Sequence, residues 1–435
     1  MKIKVKVVAS GASRQLNDSG VEWIGLIPDD WDIQKVKNAF VRKKEEAHQE
    51  EPVVLSLARS GVKVRDISTN EGQLAESYYN YNLVEKGDLL INPMDLYSGA
   101  NCSISNVEGV ISPAYINLRA ISGYNPRYYD YYFKTQYWSM AFFAHGKGVS
   151  FDNRWTLSFA DLNNYLIPAP SCAEQCRIAN YLDSECARID SVIEKTRESI
   201  EEYKKLKQSI ITEAVTKGIR PNREMKDSGV EWIGLMPADW ETINPKALFA
   251  LRKDKACPGE RQLTSSQQYG IVYQDEYMEL TGSKVVTVEK DFDILKHVEN
   301  GDFVISMRSF QGGIEYSTKT GSISSAYVML VPNLKKVFPR YYRWLFKSAV
   351  YIDALQTTTN MVRDGQAMRY SHFAKIRLMV LPKKEQEEIA DYLDDYCAKL
   401  DRLIDKKEEY ITQVEAYKKS LIYEYVTGKK EVPVC

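Results

Sequence analysis

Asp18-Ser19-Gly20-Val21-Glu22-Trp23-Ile24-Gly25-Leu26-Ile27-Pro28-Asp29-Asp30-Trp31 is written a second time as Asp227-Ser228-Gly229-Val230-Glu231-Trp232-Ile233-Gly234-Leu235-Met236-Pro237-Ala238-Asp239-Trp240. Only two of the fourteen positions differ, Ile27/Met236 and Asp29/Ala238, and weaker echoes keep nearly the same offset. Gly87-Asp88-Leu89-Leu90-Ile91 answers Gly301-Asp302-Phe303-Val304-Ile305, and Pro126-Arg127-Tyr128-Tyr129 answers Pro339-Arg340-Tyr341-Tyr342. Glu174-Gln175, Ile178-Ala179 and Tyr181-Leu182-Asp183 answer Glu385-Gln386, Ile389-Ala390 and Tyr392-Leu393-Asp394, and the match runs on to Val215-Thr216 and Val426-Thr427. A repeat on this scale means two half-molecules built on one plan. The halves differ most in their middles.

Each half divides by hydrophobic period. From Glu174 to about Thr216, apolar residues recur at three- and four-residue steps, among them Ile178, Leu182, Ile189, Ile193, Ile200, Leu206 and Ile210. The spacing predicts a helix. Pro170 precedes it, and Gly218 and Pro221 follow as stop signals. Glu385 to about Thr427 repeats the pattern with Ile389, Leu393, Leu400, Ile404, Ile411 and Leu421. Roughly 43 residues at 1.5 Å each give a rod about 65 Å long. Such a rod cannot bury its stripe on a small domain alone, so each helix is expected to pair with the other as a coiled coil.

Ahead of each helix lie short β-rich runs such as Asp88-Leu89-Leu90-Ile91 and Ala326-Tyr327-Val328-Met329-Leu330-Val331, between Gly, Asn and Ser turns, with a helical patch from Tyr128 and another from Tyr341. The chain is therefore of the α+β class. We divide it into an N-terminal arm (1–17), a mixed α/β domain (18–171), a central helix (172–217), a linker (218–226), a second mixed domain (227–382), a C-terminal helix (383–428) and a tail (429–435). The repeated Trp block reads as a strap, in which Pro and Gly set turns while Trp23, Trp31, Trp232 and Trp240 anchor to a core.

Composition narrows the function. Apolar content of 44% and charged content of 27% are those of an ordinary globular protein. There is no secretory signal, no apolar run of about 20 residues and no CxxC pair or disulfide framework among seven cysteines, so a cytoplasmic protein is expected. Cys172, Cys176 and Cys186 fall on the helical pattern without partner histidines. Catalytic signatures are missing: no GxxxxGK[ST] loop, no GxGxxG turn, no HExxH and no nucleophile elbow. Asn92-Pro93-Met94-Asp95 lacks the second Pro and the aromatic residue of an amino-methyltransferase motif. The chain reads as a protein without an active site, metal or cofactor of its own.

The divergent middles carry loops that mix Gly with side chains able to read bases. In the second half these are Ser306–Gly313, with Arg308, Ser309 and Gln311, and Met361–Arg369, with Arg363, Gln366 and Arg369. In the first half the counterparts are Asn92–Asn101, with Tyr97, Ser98 and Asn101, and His145–Arg154, with Lys147, Asn153 and Arg154. Arg pairs bidentately with guanine, and Gln or Asn with adenine. An exposed Arg or Gln is ordinarily just solvated, so the weight rests on loops recurring at matching places. A net charge of −1, from 58 Lys and Arg against 59 Asp and Glu, argues against DNA binding by bulk electrostatics. Arg363, Arg369, Lys375 and Arg377 against the lone Asp364 show that local excess exists.

The strap block, twice, followed by the Glu-Gln-x-x-Ile-Ala-x-Tyr-Leu-Asp helix start, twice, resembles the specificity subunit of type I restriction-modification enzymes over nearly the full chain. The resemblance implies two target-recognition domains joined by an antiparallel helix pair with approximate two-fold symmetry. Each domain would read half of a bipartite site in double-stranded DNA, with the helices as a ruler for the unread spacer. It also implies partners: two modification subunits, which use S-adenosylmethionine to methylate adenine, and restriction subunits, which use ATP and Mg2+. The residues alone leave two other readings open. One is a coiled-coil scaffold with two protein-binding heads; the other is a nuclease, although no carboxylate and Lys cluster has convincing metal-binding spacing.

Overall fold

A computed structural model of the chain describes residues 14–68, 75–97, 101–149, 155–285, 287–288, 294–306, 309–358 and 369–433. Four helices carry the frame: α1 (Pro126–Trp138), α2 (Cys172–Lys217), α3 (Pro339–Lys347) and α4 (Lys383–Val426). The 46 residues of α2 and the 44 of α4 contain neither Pro nor Gly, so nothing interrupts the backbone ladder. Each ends just before a glycine in the left-handed region, Gly218 (φ 76°) and Gly428 (φ 67°). The chain forms two compact units, one holding the residues up to Lys195 and from Glu409 onward, the other Thr196–Glu408. Each unit thus takes the first part of one long helix and the last part of the other.

In the first unit, Phe40–Lys43, Ile116–Ala120, Leu89–Ile91 and Cys102–Ile104 form an antiparallel sheet in that order. The run Leu89-Leu90-Ile91 is buried throughout because both sheet faces are covered. Leu89 and Ile91 face the main core with Tyr129, Phe133 and Leu118, while Leu90 faces a smaller core with Leu55, Leu57, Val84 and Ile111. α1 starts with Asn125 accepting from the Arg127 N–H at 2.9 Å and with Pro126 as its first residue.

The second unit repeats the plan. Phe249–Leu251, Val328–Pro332, Phe303–Ile305 and Glu315–Tyr316 make the sheet. Phe303 and Ile305 face the main core, and Val304 faces the smaller one with Leu263, Ile271 and Met329.

Within each unit the long helices run antiparallel, since contacting residue numbers rise on one as they fall on the other. In the first, the Tyr181 and Tyr425 rings lie 4.6 Å apart and Lys418 pairs with Asp190 at 2.6 Å. In the second, the Lys407 ammonium lies over the Tyr203 ring at 5.6 Å and Lys207 pairs with Asp401 at 2.6 Å. Partly exposed ion pairs of this kind contribute at most about 1 kcal/mol each, so the apolar stripe carries the association.

Candidate nucleic-acid interface

The repeated motifs build the frame that holds the divergent loops. Trp31 donates its indole N–H to Glu174 at 3.0 Å, and the Arg14 guanidinium bridges Glu174 (2.5 Å) and Asp30 (2.9 Å). The same clamp recurs where Trp240 donates to Glu385 at 3.3 Å and Arg223 pairs with Glu385 and, at 2.7 Å, Asp239. Gln175 closes the joint by accepting from the Asn125 N–H at 2.7 Å and donating to the Pro170 carbonyl at 2.8 Å; Gln386 accepts from Phe338 and donates to Leu381 in the same way.

The paired tyrosines fasten both long helices to each domain. Tyr129 donates to the Pro168 carbonyl, ahead of α2, and Tyr128 to the Val426 carbonyl at the end of α4 (2.7 Å). Tyr342 donates to the Met379 carbonyl and Tyr341 to the Val215 carbonyl at the end of α2 (2.8 Å). Terminal helix carbonyls have no partner within the helix, and these buried hydroxyls supply one.

On the first unit the two candidate loops lie side by side. Leu96 N–H donates to the Trp155 carbonyl at 3.2 Å, Leu157 N–H to the Pro93 carbonyl at 2.8 Å, and Trp155 Nε1 to the Phe143 carbonyl at 2.8 Å. Tyr97, 63% exposed, stands beside the Phe143 ring at 6.1 Å. The Lys147 backbone pairs with Thr156 in both directions, which leaves its side chain projecting outward, 80% exposed and 3.5 Å from Asp161. Asn101 turns inward and donates to the carbonyls of Ala58 (3.0 Å) and Arg59 (3.3 Å).

In the second unit helix Ala349–Thr358 packs against both the turn Ser309–Gly312 and helix Tyr370–Phe373. Ser309 is buried, and its hydroxyl accepts from the Ser306 N–H at 2.8 Å, so it closes the turn instead of facing solvent. Gln311 is exposed at the crest. Lys347 supports the descending side by donating to the Gly312 carbonyl at 2.9 Å and pairing with Glu315, whose carboxyl burial pushes up despite that pairing. Arg369 is exposed at the start of helix Tyr370–Phe373. Ser98, Asn153, Arg154, Arg308, Arg363 and Gln366 lie outside the described residues.

Two features escaped the reading of the sequence. Arg14 belongs to the repeated clamp at the same offset as Trp31 to Trp240, although it lies within the stretch 1–17 read as an N-terminal arm, where residues 15–17 do not match their counterparts 224–226. The second is a β-hairpin in each unit, Leu55–Ala58 with Gly61–Val64 and Leu263–Ser266 with Gly270–Tyr273, whose tip touches the candidate loop. The signal was present as Leu55 and Leu57 alternating ahead of Arg-Ser-Gly. Among the described residues no group of three or more His, Cys, Asp and Glu is placed to hold a metal ion, and no helix is long and apolar enough to cross a membrane.

Residues 237–413 match the Type I restriction modification DNA specificity domain. The chain is similar to the type I restriction enzyme EcoBI specificity subunit of Escherichia coli, with 23% identity over 97% of this chain and 90% of that protein. Among solved structures it resembles a chain from a study of complex assembly and conformational transition of the type I R-M system (TM-score 0.67, 15% identity, 93% of this chain and 99% of that one). It also resembles the HsdS subunit from Thermoanaerobacter tengcongensis (TM-score 0.50, 14% identity, 93% and 98%). At these identities the solved structures speak for the fold.

Proposed function

We propose that this chain is a DNA specificity subunit of the type I restriction-modification kind, which recognises DNA and does no catalysis itself, and that each unit reads one half of a bipartite duplex site. The long helices keep the two readings at a fixed separation and offer docking surface to two modification subunits. S-adenosylmethionine, ATP and Mg2+ stay with the modification and restriction partners.

The observation that carries this reading is the contrast between frame and edge. The clamps at Glu174 and Glu385 and the tyrosine pairs repeat bond for bond, whereas the loops on them share little beyond their position. One frame with two different edges is what a reader of two unlike half-sites needs. The near-neutral net charge fits as well, since subunits closing around the duplex supply much of the phosphate neutralisation. The test is selection from randomised duplexes by the assembled complex. Enrichment of two short motifs at one fixed separation is expected; a single continuous motif, or none, overturns the reading.

A further inference from the structure

We propose that the hairpin tips, Arg59-Ser60 in the first unit and Gln267-Gln268-Tyr269 in the second, read base edges and set part of each half-site. This rests on the two-part DNA-reading role proposed above. Each hairpin is held by four register pairs, from Leu55 with Val64 to Ala58 with Gly61 and from Leu263 with Tyr273 to Ser266 with Gly270. Its inward residues sit in the smaller core: Leu55 and Leu57 with Leu90 and Ile111, Leu263 and Ile271 with Val304 and Ile323. The base is therefore fixed to the sheet. All five tip residues are exposed.

The turns are tight. Gly61 (φ 109°) and Gly270 (φ 70°) lie in the left-handed region, which other residues adopt at a cost. A two-stranded ribbon fits the major groove, which is about 12 Å wide. Neither tip contains a carboxylate to repel phosphates.

The tips also join the loops already singled out. Asn101 holds the first tip through the Ala58 and Arg59 carbonyls. In the second unit a Cβ on Gly312 would meet the Gln267 side chain at 2.7 Å, so the Gln311 turn lies directly against the tip. Gln267, Gln268 and Gln311 thereby share one edge, and Arg59, Ser60 and Asn101 share the corresponding edge of the other unit. Glutamine amides pair with adenine, and an arginine fork pairs with guanine. The hairpins match in frame but differ in tip length and chemistry, as two unlike half-sites require.

The experiment is randomised-duplex selection with the whole complex, comparing wild type with Gln267→Ala, Gln268→Ala, Gln268→Glu and Arg59→Ala. The expected result is that Gln267→Ala or Gln268→Ala loses about tenfold or more discrimination at an adenine in one half-site. Gln268→Glu shifts the position it reads toward cytosine, and Arg59→Ala relaxes a guanine in the other half-site. The gap and the untouched half-site stay as they were. Wild-type preference retained in both glutamine-to-alanine variants overturns the proposal, as does a loss of affinity equal on all sequences, which would mark a phosphate contact. A wild-type complex that selects no two-part motif removes the premise instead, and is told apart by needing no variant.

Discussion

Trp31 donates its indole N–H to Glu174 at 3.0 Å, tying the strap to the first turn of α2 across 143 residues of sequence. Glu174 takes Arg14 on its other side. With Trp240 and Arg223 around Glu385, the second unit makes the same joint. Neither carboxylate is left to pair with water alone, and that permits burial of the helix start.

Glu385→Ala removes the acid while leaving Arg223, whose side chain is 14% exposed, facing the joint. Loss of one partner of a buried pair costs about 3 kcal/mol when the other charge is left alone; because Asp239 still pairs with Arg223, about 2 kcal/mol is expected here. Denaturant unfolding of the second unit should show that loss. A change below about 1 kcal/mol, the size of a surface pair, would show that the clamp is peripheral.

Tyr341→Phe deletes the hydroxyl that donates to the Val215 carbonyl, and Tyr128→Phe does the same for Val426. Each should lower stability by about 1 kcal/mol. Hydrogen exchange should rise at the end of α2 in the first variant and of α4 in the second. Exchange unchanged at those ends would mean that the carbonyls need no cap.

His297 lies between Glu260 (Nδ1, 2.7 Å) and Glu299 (Nε2, 3.0 Å). Burial lowers its pKa, but the hydrogen bonds and charges of Glu299 and Glu260 outweigh burial and hold it above the ordinary 6.5. A raised folded-state pKa stabilises below the unfolded value, and that stabilisation is lost as pH rises through the folded one. Stability of the second unit should therefore fall as pH is raised from 6 through the range above 6.5. In His297→Gln that segment of the profile should flatten; an unchanged slope would contradict the assignment.

Gly313 has φ 79°, and a Cβ there would overlap the Phe346 carbonyl oxygen. Gly313→Ala should cost about 3 kcal/mol from left-handed strain and overlap together, unless the turn moves. If it moves, Gln311 moves with it, so specificity at one half-site should loosen while the other is kept. A stable variant with both half-sites intact would show that the turn is not a reading edge.

Much of this architecture was legible because it is written twice. The long helices Cys172–Lys217 and Lys383–Val426 follow from periodicity, with Gly218 as an end signal for the first, and repetition marks Tyr128 and Tyr341. What those tyrosines hold was not legible, since a hydroxyl meeting a carbonyl 298 residues away depends on the tertiary fold. Ser309 looked like a polar loop residue; its burial follows from the Ser306 N–H that it satisfies, which residue type does not reveal. Asn101 likewise looked outward but serves the hairpin turn. Divergence between the halves marks the loops proposed as reading edges, but no repeat exists there to say which side chains face outward.

The most direct measurement of the central claim is to co-express the chain with its modification subunit and map methylated adenines across the host genome by single-molecule sequencing. The account predicts one bipartite motif, two unlike half-sites separated by an unread gap of constant length. Methylation at a continuous motif, or none from a complex shown to assemble, would contradict it.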